Sequence, residues 1–199
     1  MAEEKYAADD IKLLTLRDSI RKRPAMYIGS TGRHGVEQLV WELTANSVDQ
    51  VLAGQANHVQ IVIHDDDSIE VLDDGPGLDL RSEQVRSHFL ENHPVSTADS
   101  HASHVHPSNL GTGLVVANAL SSRFRVTTSF KAKTLRCEWT DGGENGGSPE
   151  NLDEDWVGTS IRMWLDGSIL DDVAVRPGSL DRRIHELNAL IPDLSLIHI

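Results

Sequence analysis

The chain is 199 residues long, 39% hydrophobic and 25% charged, which suits a single domain with a buried core. Its 18 basic residues against 31 acidic ones leave a net charge of −13, which argues against direct DNA binding because that needs a basic face. The sequence shows neither a signal-peptide core nor an apolar run near the ~20 residues of a membrane span, so no membrane contact is expected. The one cysteine, Cys137, fits a cytoplasmic location.

In chain order, residues 1–10 read as a mobile arm and the rest as alternating elements. Helical spacing predicts helices at 11–23, 34–53, 81–91, 113–121 and 179–190. Extended patterns predict strands at 59–64, 69–72, 123–130, 133–140, 157–165 and 194–198. Irregular stretches predict a loop at 141–155 and a lid at about 92–113. This order predicts an α/β two-layer sandwich, a mixed and mostly antiparallel sheet with helices on one face.

Polar residues recur along the long predicted helix at 34–53. Glu42, Asn46 and Asp49 follow the spacing i, i+4 and i+7, so they share one face within an arc of roughly 60°. Asparagine is a poor helix former and needs a reason to stand at this position. The pattern fits either a polar pocket wall or a helix border in solvent.

Two glycine-containing turns add further candidates. Asp73-Asp74-Gly75-Pro76-Gly77 follows a predicted strand, where glycine lets the backbone turn tightly and approach a ligand. Gly111-Thr112-Gly113 opens a predicted helix, whose exposed amides attract anions. The second turn is neither a Walker loop nor a Rossmann fingerprint, since no Gly-Lys-Ser/Thr follows and no strand precedes it.

Taken together, these segments resemble the GHKL ATPases, and among them the branch of DNA gyrase B and the ATPase subunit of topoisomerase IV. The resemblance rests on RKRPAMYIGSTG (21–32), GVEQLVWELTANSVDQVLAG (35–54), LDDGPGLDL (72–80), LGTGLVVANALS (110–121) and GTSIRMWLD (158–166). It implies the Bergerat ATP-binding fold over residues 11–199 and a role as the ATPase domain of a type II DNA topoisomerase. ATP and Mg²⁺ are the implied ligands.

The resemblance also implies a role for each matching residue. Glu42 would be the general base, Asn46 would bind Mg²⁺, and Asp49 would be a polar group near the pocket. Asp73 would accept the adenine amino group with support from Thr159. The remaining roles belong to the turns and the arm: room beside adenine at Gly75 and Gly77, amides for the phosphates at Gly111, Thr112 and Gly113, and a reach into a partner's nucleotide by Tyr6.

Partners follow from the same resemblance: a nucleotide-dependent homodimer formed through the arm, and a gyrase A-like subunit if the chain belongs to a longer protein. The transducer domain that follows in the family, with its phosphate-binding lysine, is missing, so we expect ATP binding with little hydrolysis from this chain alone.

Other interpretations stay open, because Pro76 and Gln50 replace a usual arginine–acid pair and the lid carries four histidines. The chain could be a stand-alone ATP-binding regulatory module. A histidine kinase is the weaker interpretation, since the chain has no phosphoacceptor helix pair. The lid histidines suit a solvated loop or, alternatively, a zinc or pH-sensing site.

Overall fold

The structure, a computed structural model, describes residues 14–91 and 113–198. Tyr6, Gly111 and Thr112 lie outside the described residues, as do the expected arm and all of the expected lid except Gly113. No helix within the described ranges combines the length and apolar character needed to cross a membrane.

The predicted helices and strands occur in the predicted order. The helices are α1 Leu16–Lys22, α2 Ala25–Ile28, α3 Arg33–Leu52, α4 Glu83–Ser87, α5 Gly113–Ala119 and α6 Pro177–Leu190. The strands are β1 His58–Ile63, β2 Ile69–Asp73, β3 Ser121–Phe130, β4 Lys133–Thr140, β5 Asn145–Gly146, β6 Glu150–Leu152, β7 Thr159–Leu165 and β8 Ser195–His198. Helix α2 and strands β5 and β6 are present in addition to the predicted elements.

The eight strands of the described residues form one mixed sheet. Its order is β5-β4-β3-β7-β2-β1-β8, with β6 also paired to β4. All the pairs are antiparallel except β1 with β8, which are parallel. Helix α3 packs on β1 and β2, and α5 packs on β3. The predicted fold class is therefore confirmed.

The strand register separates an apolar face from a polar one. Val71, Ile161 and Val126 are neighbours across β2, β7 and β3, and all three are buried. One residue along, the register aligns Arg162 with Arg125, which is salt-bridged to Glu138 of β4. Successive side chains of a strand point to opposite faces, so this alternation gives the sheet one apolar face on which helices can pack.

Helix α3 is the central helix of the domain. Val36, Leu39, Val40 and Leu43 are fully buried along it, as the apolar stripe predicted. A Cβ at Gly35 would come within 1.8 Å of the Ser30 carbonyl oxygen, so the first turn of the helix requires glycine at that position.

Two predicted helices differ most from the structure at their ends. The first helix begins at Leu16 rather than at 11, because the Thr15 side chain caps it by accepting a hydrogen bond from the Asp18 amide. The helix expected at 81–91 is limited to α4, after which the chain turns and Phe89 packs 5.3 Å from Trp139, centroid to centroid.

The stretch expected as a loop at 141–155 is partly ordered. It holds a 3₁₀ turn at Asp141–Gly143 and the short strands β5 and β6, both paired with β4. Gly146 and Gly147 have φ of 97° and 80°, and a Cβ on Gly147 would lie 2.4 Å from Trp139 Nε1. Glycine therefore lets the backbone pack directly against Trp139, where β5 and β6 pair with β4. A loop prediction based on composition does not detect this pairing.

Helix α1 is joined to the domain by Arg21. Its Nη1 donates a 2.9 Å hydrogen bond to the Ala119 carbonyl at the end of α5, and its Nη2 lies 2.8 Å from Asp166 Oδ2 beyond β7. Burial opposes ionisation of Asp166, but hydrogen bonds from Ser168 and Arg21 outweigh it and hold the pKa of this carboxyl below its ordinary value.

We expect Arg21→Met to lower the free energy of unfolding by about 1–3 kcal/mol, because it removes a charged donor from two acceptors at once. Urea denaturation would measure the change. The matched control is Arg182→Met, since Arg182 pairs with Glu186 on α6 with its side chain 91% exposed. That variant should change stability by less than about 0.5 kcal/mol, and an equal loss in both would contradict the assignment.

The pH dependence follows from the lowered pKa of Asp166. The stability that its ionised form adds is complete above the ordinary aspartate pKa of about 3.9, and it is lost as the pH falls through the folded-state value. The difference between wild type and Arg21→Met should therefore shrink in acid.

Candidate functional site

The candidate site lies where α3 passes the end of β2 and the beginning of α5. Ser47 Oγ on α3 donates a 2.8 Å hydrogen bond to Asp73 Oδ2. Earlier on the same helix, Glu42 lies so close to Gly113 that a Cβ there would be 2.2 Å from Glu42 Oε2. Ser47 follows Glu42 by five positions on the helix, a rise of about 7.5 Å. The three predicted elements thus converge, with one carboxylate near each end.

Asp73 is a buried acceptor held in one orientation. The residue is 8% exposed, and its second oxygen, Oδ1, accepts a 3.0 Å hydrogen bond from the Gly75 amide. Burial raises the pKa of the Asp73 carboxyl above its ordinary value, although hydrogen bonds from Ser47 and from the Gly75 and Thr159 backbone oppose the rise. Such a group can accept one more hydrogen bond from a ligand amine, since each carboxylate oxygen has two lone pairs.

The neighbouring Asp74 has a different task. Its Oδ1 accepts hydrogen bonds from the backbone amides of Asn57 at 2.8 Å and His58 at 3.0 Å, at the start of β1. Burial opposes ionisation of Asp74, but these bonds outweigh it and lower its pKa. Asp74 therefore stabilises the strand entry, and Asp73 alone of the two is buried against α3.

The two glycines of this turn are required for different reasons. A Cβ on Gly75 would lie 2.9 Å from Asp73 Oδ1 and crowd that carboxylate. Gly77 has φ of 78°, and a Cβ there would come within 1.7 Å of the Ser129 carbonyl oxygen on β3. Gly77 therefore allows the close packing of the turn on the sheet, and the room beside a ligand that the resemblance implied for it stays a prediction.

Glu42 is 4% exposed at the other end of the site. Gln38 Nε2, one turn earlier on α3, lies 3.1 Å from Glu42 Oε1 and donates to it. The other oxygen, Oε2, faces the first residue of α5, where only glycine leaves room for it. The carboxylate is thus fixed between a neutral amide and the amino end of a helix, where a negative charge is favoured.

The other predicted residues within the described ranges are Asn46, Asp49 and Thr159. Asn46 and Asp49 are partly exposed on α3. Thr159 is 5% exposed at the start of β7, directly opposite Asp73 in the β2–β7 register. Tyr6, Gly111 and Thr112 lie outside the described residues.

Three contributing residues were missed from the sequence: Gln38, Ser47 and Thr128. Gln38 could have been found, because it stands four residues before Glu42 on a predicted helix and such pairs are neighbours. Ser47 reaches Asp73 across 26 residues of chain, and Thr128 reaches Thr159 across 31. No local pattern reports contacts of that kind.

Comparison with known families identifies the family of the chain. Residues 31–168 match the family described as histidine kinase-, DNA gyrase B-, and HSP90-like ATPase. The chain belongs to this family. The matched stretch contains both ends of the site, from Glu42 on α3 to Thr159 on β7, so this histidine kinase-, gyrase B- and HSP90-like ATPase domain carries its family's ATP-binding function.

Curated relatives agree with that assignment. DNA gyrase B of Thermotoga maritima is 33% identical over 199 residues, which cover 97% of this chain and 31% of that relative. DNA gyrase B of Mycolicibacterium smegmatis is 32% identical over 200 residues, and that of Mycobacterium tuberculosis 31% over 203, each match covering 98% of this chain and 30% of the relative. The chain therefore spans less than a third of the length of these relatives.

We expect Asp73→Asn to raise the free energy of unfolding at pH 7 by about 0.5–2 kcal/mol, as replacements at strained functional positions commonly do. Asparagine can still accept from the Gly75 amide and donate to Ser47 Oγ, without the buried charge. Because the folded-state pKa of Asp73 is raised, the wild type loses stability as the pH rises through that value, so the gain should vanish near pH 3.

Asp74→Asn is the matched control for this measurement. It should lower stability at pH 7, because the pKa of Asp74 is shifted the other way and its charge favours the fold. Thermal unfolding of both variants between pH 3 and pH 8 tests the assignment. If both variants change the free energy of unfolding in the same direction, the assignment of Asp73 as the aspartate that destabilises the fold when charged is contradicted.

Proposed function

We propose that this chain is the ATP-binding domain of a type II DNA topoisomerase of the gyrase B kind. The observation that carries the proposal is the buried Asp73, fixed by Ser47 and Gly75 beside Thr159, at one end of a site whose other end holds Glu42. Binding of ATP would close a dimeric gate, and hydrolysis would reset it. The gyrase B relatives support this choice within the family.

Asp73 is proposed to recognise the base. The adenine amino group donates a hydrogen bond, and a buried carboxylate already oriented by two donors is a strong acceptor for it. Guanine presents a carbonyl oxygen at the same place, which a carboxylate would repel. Thr159 is proposed to contact the adjoining edge of the ring directly or through one water.

The other end of the site is proposed to hold the phosphates. Gly113 opens α5, and with Gly111 and Thr112 it would donate backbone amides to the phosphate oxygens. Asn46 would hold Mg²⁺ through its amide oxygen, and Asp49 would lie nearby as a polar neighbour. Mg²⁺, when bound, offsets charge on the phosphate oxygens.

The donor set fits magnesium held mainly by the nucleotide. Within residues 14–91 and 113–198 no group of three or more His, Cys, Asp or Glu side chains is arranged to hold a metal ion. Mg²⁺ usually takes only one or two protein ligands and completes its shell with phosphates and water, so a single asparagine on α3 is sufficient.

Glu42 is proposed to act as the general base. A carboxylate oxygen of Glu42 would take a proton from water while the water oxygen bonds to the γ-phosphorus and the bond to ADP breaks. Glu42 Oε1 accepts the Gln38 hydrogen bond, and Oε2 lies on the side of α5. A positioned base of this kind contributes about 10²–10⁴-fold in rate.

Two partners belong to the proposed function. Tyr6 would reach the nucleotide of a second copy in a homodimer closed by ATP, and a gyrase A-like subunit would supply the DNA-cleaving part of the assembly.

An alternative is a stand-alone ATP-binding regulatory module. It is favoured by Pro76, exposed at the tip of the base-binding turn, and by Gln50, whose Cβ lies 3.7 Å from the Cβ position of Gly75. The two functions differ in whether nucleotide closes a dimer.

We expect the wild type to bind a non-hydrolysable ATP analogue with Mg²⁺, and Asp73→Asn to bind it at least about tenfold more weakly, since a charged hydrogen bond contributes roughly 1.5–3 kcal/mol. Isothermal titration calorimetry measures both constants. Because Asp73→Asn should fold at least as stably as the wild type, weaker binding would report the lost acceptor and not unfolding. A wild type that does not bind the analogue would refute the proposal.

We expect Glu42→Gln to bind the same analogue as well as the wild type and to lose any phosphate release above background, because glutamine keeps the shape but cannot take the proton. Gly113→Ala should weaken binding, since its methyl group must displace Glu42 Oε2. Gly167→Ala is the matched control, because its Cβ would meet only Val173 at 3.8 Å. Equal binding by the two alanine variants would contradict a phosphate site at α5.

A further inference from the structure

Thr128 is a fully buried hydroxyl next to the proposed base-binding residues. It is 0% exposed on β3, where its Oγ1 accepts a 2.9 Å hydrogen bond from the Leu78 amide of the turn that follows β2. The same oxygen lies 3.2 Å from Thr159 Oγ1 and 3.3 Å from the Gly158 carbonyl oxygen. One hydroxyl therefore joins three separate segments of the chain.

The sheet register sets these groups in one row. Thr128 stands opposite Thr159 in the β3–β7 pair, and Thr159 stands opposite Asp73 in the β7–β2 pair. Thr159 thus lies between the buried hydroxyl of Thr128 and the buried carboxylate of Asp73. Close packing leaves the row little freedom, since a Cβ on Gly158 would come within 1.7 Å of the Asp73 carbonyl oxygen.

A count of protons shows what Thr128 can do. A hydroxyl has one proton to donate, and the Leu78 amide already uses one lone pair of Thr128 Oγ1. When Thr128 donates its proton to Thr159 Oγ1, the proton of Thr159 is free to point away from β3. When Thr128 donates to the Gly158 carbonyl instead, Thr159 can donate its own proton to Thr128 Oγ1. Thr159 then has only a lone pair to offer to a ligand.

We propose that Thr128 is a positioning residue for adenine recognition: it donates to Thr159 and so directs the Thr159 hydroxyl proton toward the ring nitrogen N1 of the base. This rests on the proposed function, in which Asp73 accepts from the amino group of the base. Adenine places an acceptor, N1, directly beside that amino donor. An acceptor at Asp73 with a donor at Thr159 matches this pair of groups, whereas the carbonyl and N1–H of guanine or hypoxanthine mismatch both.

The test compares two nucleotides that differ in the one acceptor. The probes are a non-hydrolysable ATP analogue and its 1-deaza counterpart, in which N1 is replaced by C–H. Calorimetry with Mg²⁺ gives dissociation constants for the wild type, Thr128→Val and Thr128→Ser. Valine keeps the shape of threonine without the hydroxyl, and serine keeps the hydroxyl.

We expect the wild type to bind the parent analogue about 3–10-fold more tightly than the 1-deaza form, the value of one hydrogen bond. In Thr128→Val nothing directs the Thr159 proton toward N1, so this variant should show a smaller preference than the wild type, and Thr128→Ser should keep the full preference. If Thr128 only holds the Leu78 turn, Thr128→Val will weaken the binding of both nucleotides by the same factor and leave the preference intact. That result would overturn the inference.

The outcomes separate this inference from the proposed function. If the wild type binds neither nucleotide, the proposed function fails and the role of Thr128 fails with it. If the wild type binds both equally well, the ATP site stands and the role of Thr128 is refuted, even should Thr128→Val prove too unstable to purify. A preference of wild-type size in a folded Thr128→Val variant also refutes the role of Thr128.

Discussion

The hydrogen bond between Ser47 and Asp73 joins the central helix to the central strands, and the rest of the site is arranged around it. It fixes the position of α3 against the end of β2, so that Glu42, on the same rigid helix, faces the beginning of α5. A helix transmits this placement over several residues because its rise and turn are regular. The distance between the carboxylates of Glu42 and Asp73 is therefore set by helix α3 and its hydrogen bond to Asp73.

Burial of Asp73 places function and stability in opposition. Its raised pKa means that the fold bears an unfavourable charge at neutral pH, while Asp74, one residue on, is stabilised by two backbone amides. A purely structural turn would use both aspartates in the second way. Within residues 14–91 and 113–198 no cationic side chain pairs with Asp73, and an unpaired buried charge is costly, which supports the proposal that Asp73 is an acceptor for a ligand.

Much of this architecture could be predicted from the sequence, because the signals are local. The apolar stripe of α3, the alternation in β3 and β4, and the glycines after β2 each follow from short-range periodicity or backbone geometry. The strands at Asn145–Gly146 and Glu150–Leu152 were missed, since they exist only through pairing with β4 and packing of Gly147 on Trp139. Propensity cannot report a partner that lies elsewhere in the chain.

By itself, the sequence determined the order of helices and strands, the family resemblance, and the residues whose chemistry suits ATP, from Glu42 and Asn46 to Asp73 and Thr159. Only the tertiary structure showed that Asp73 is buried while Asp74 accepts from backbone amides, and that a Cβ at Gly77 would meet the Ser129 carbonyl. It alone also showed the hydrogen bonds of Gln38, Ser47 and Thr128 to the polar groups of the site. The physical reason is that spacing along a chain specifies local geometry, whereas burial and hydrogen bonding depend on segments that meet only after folding.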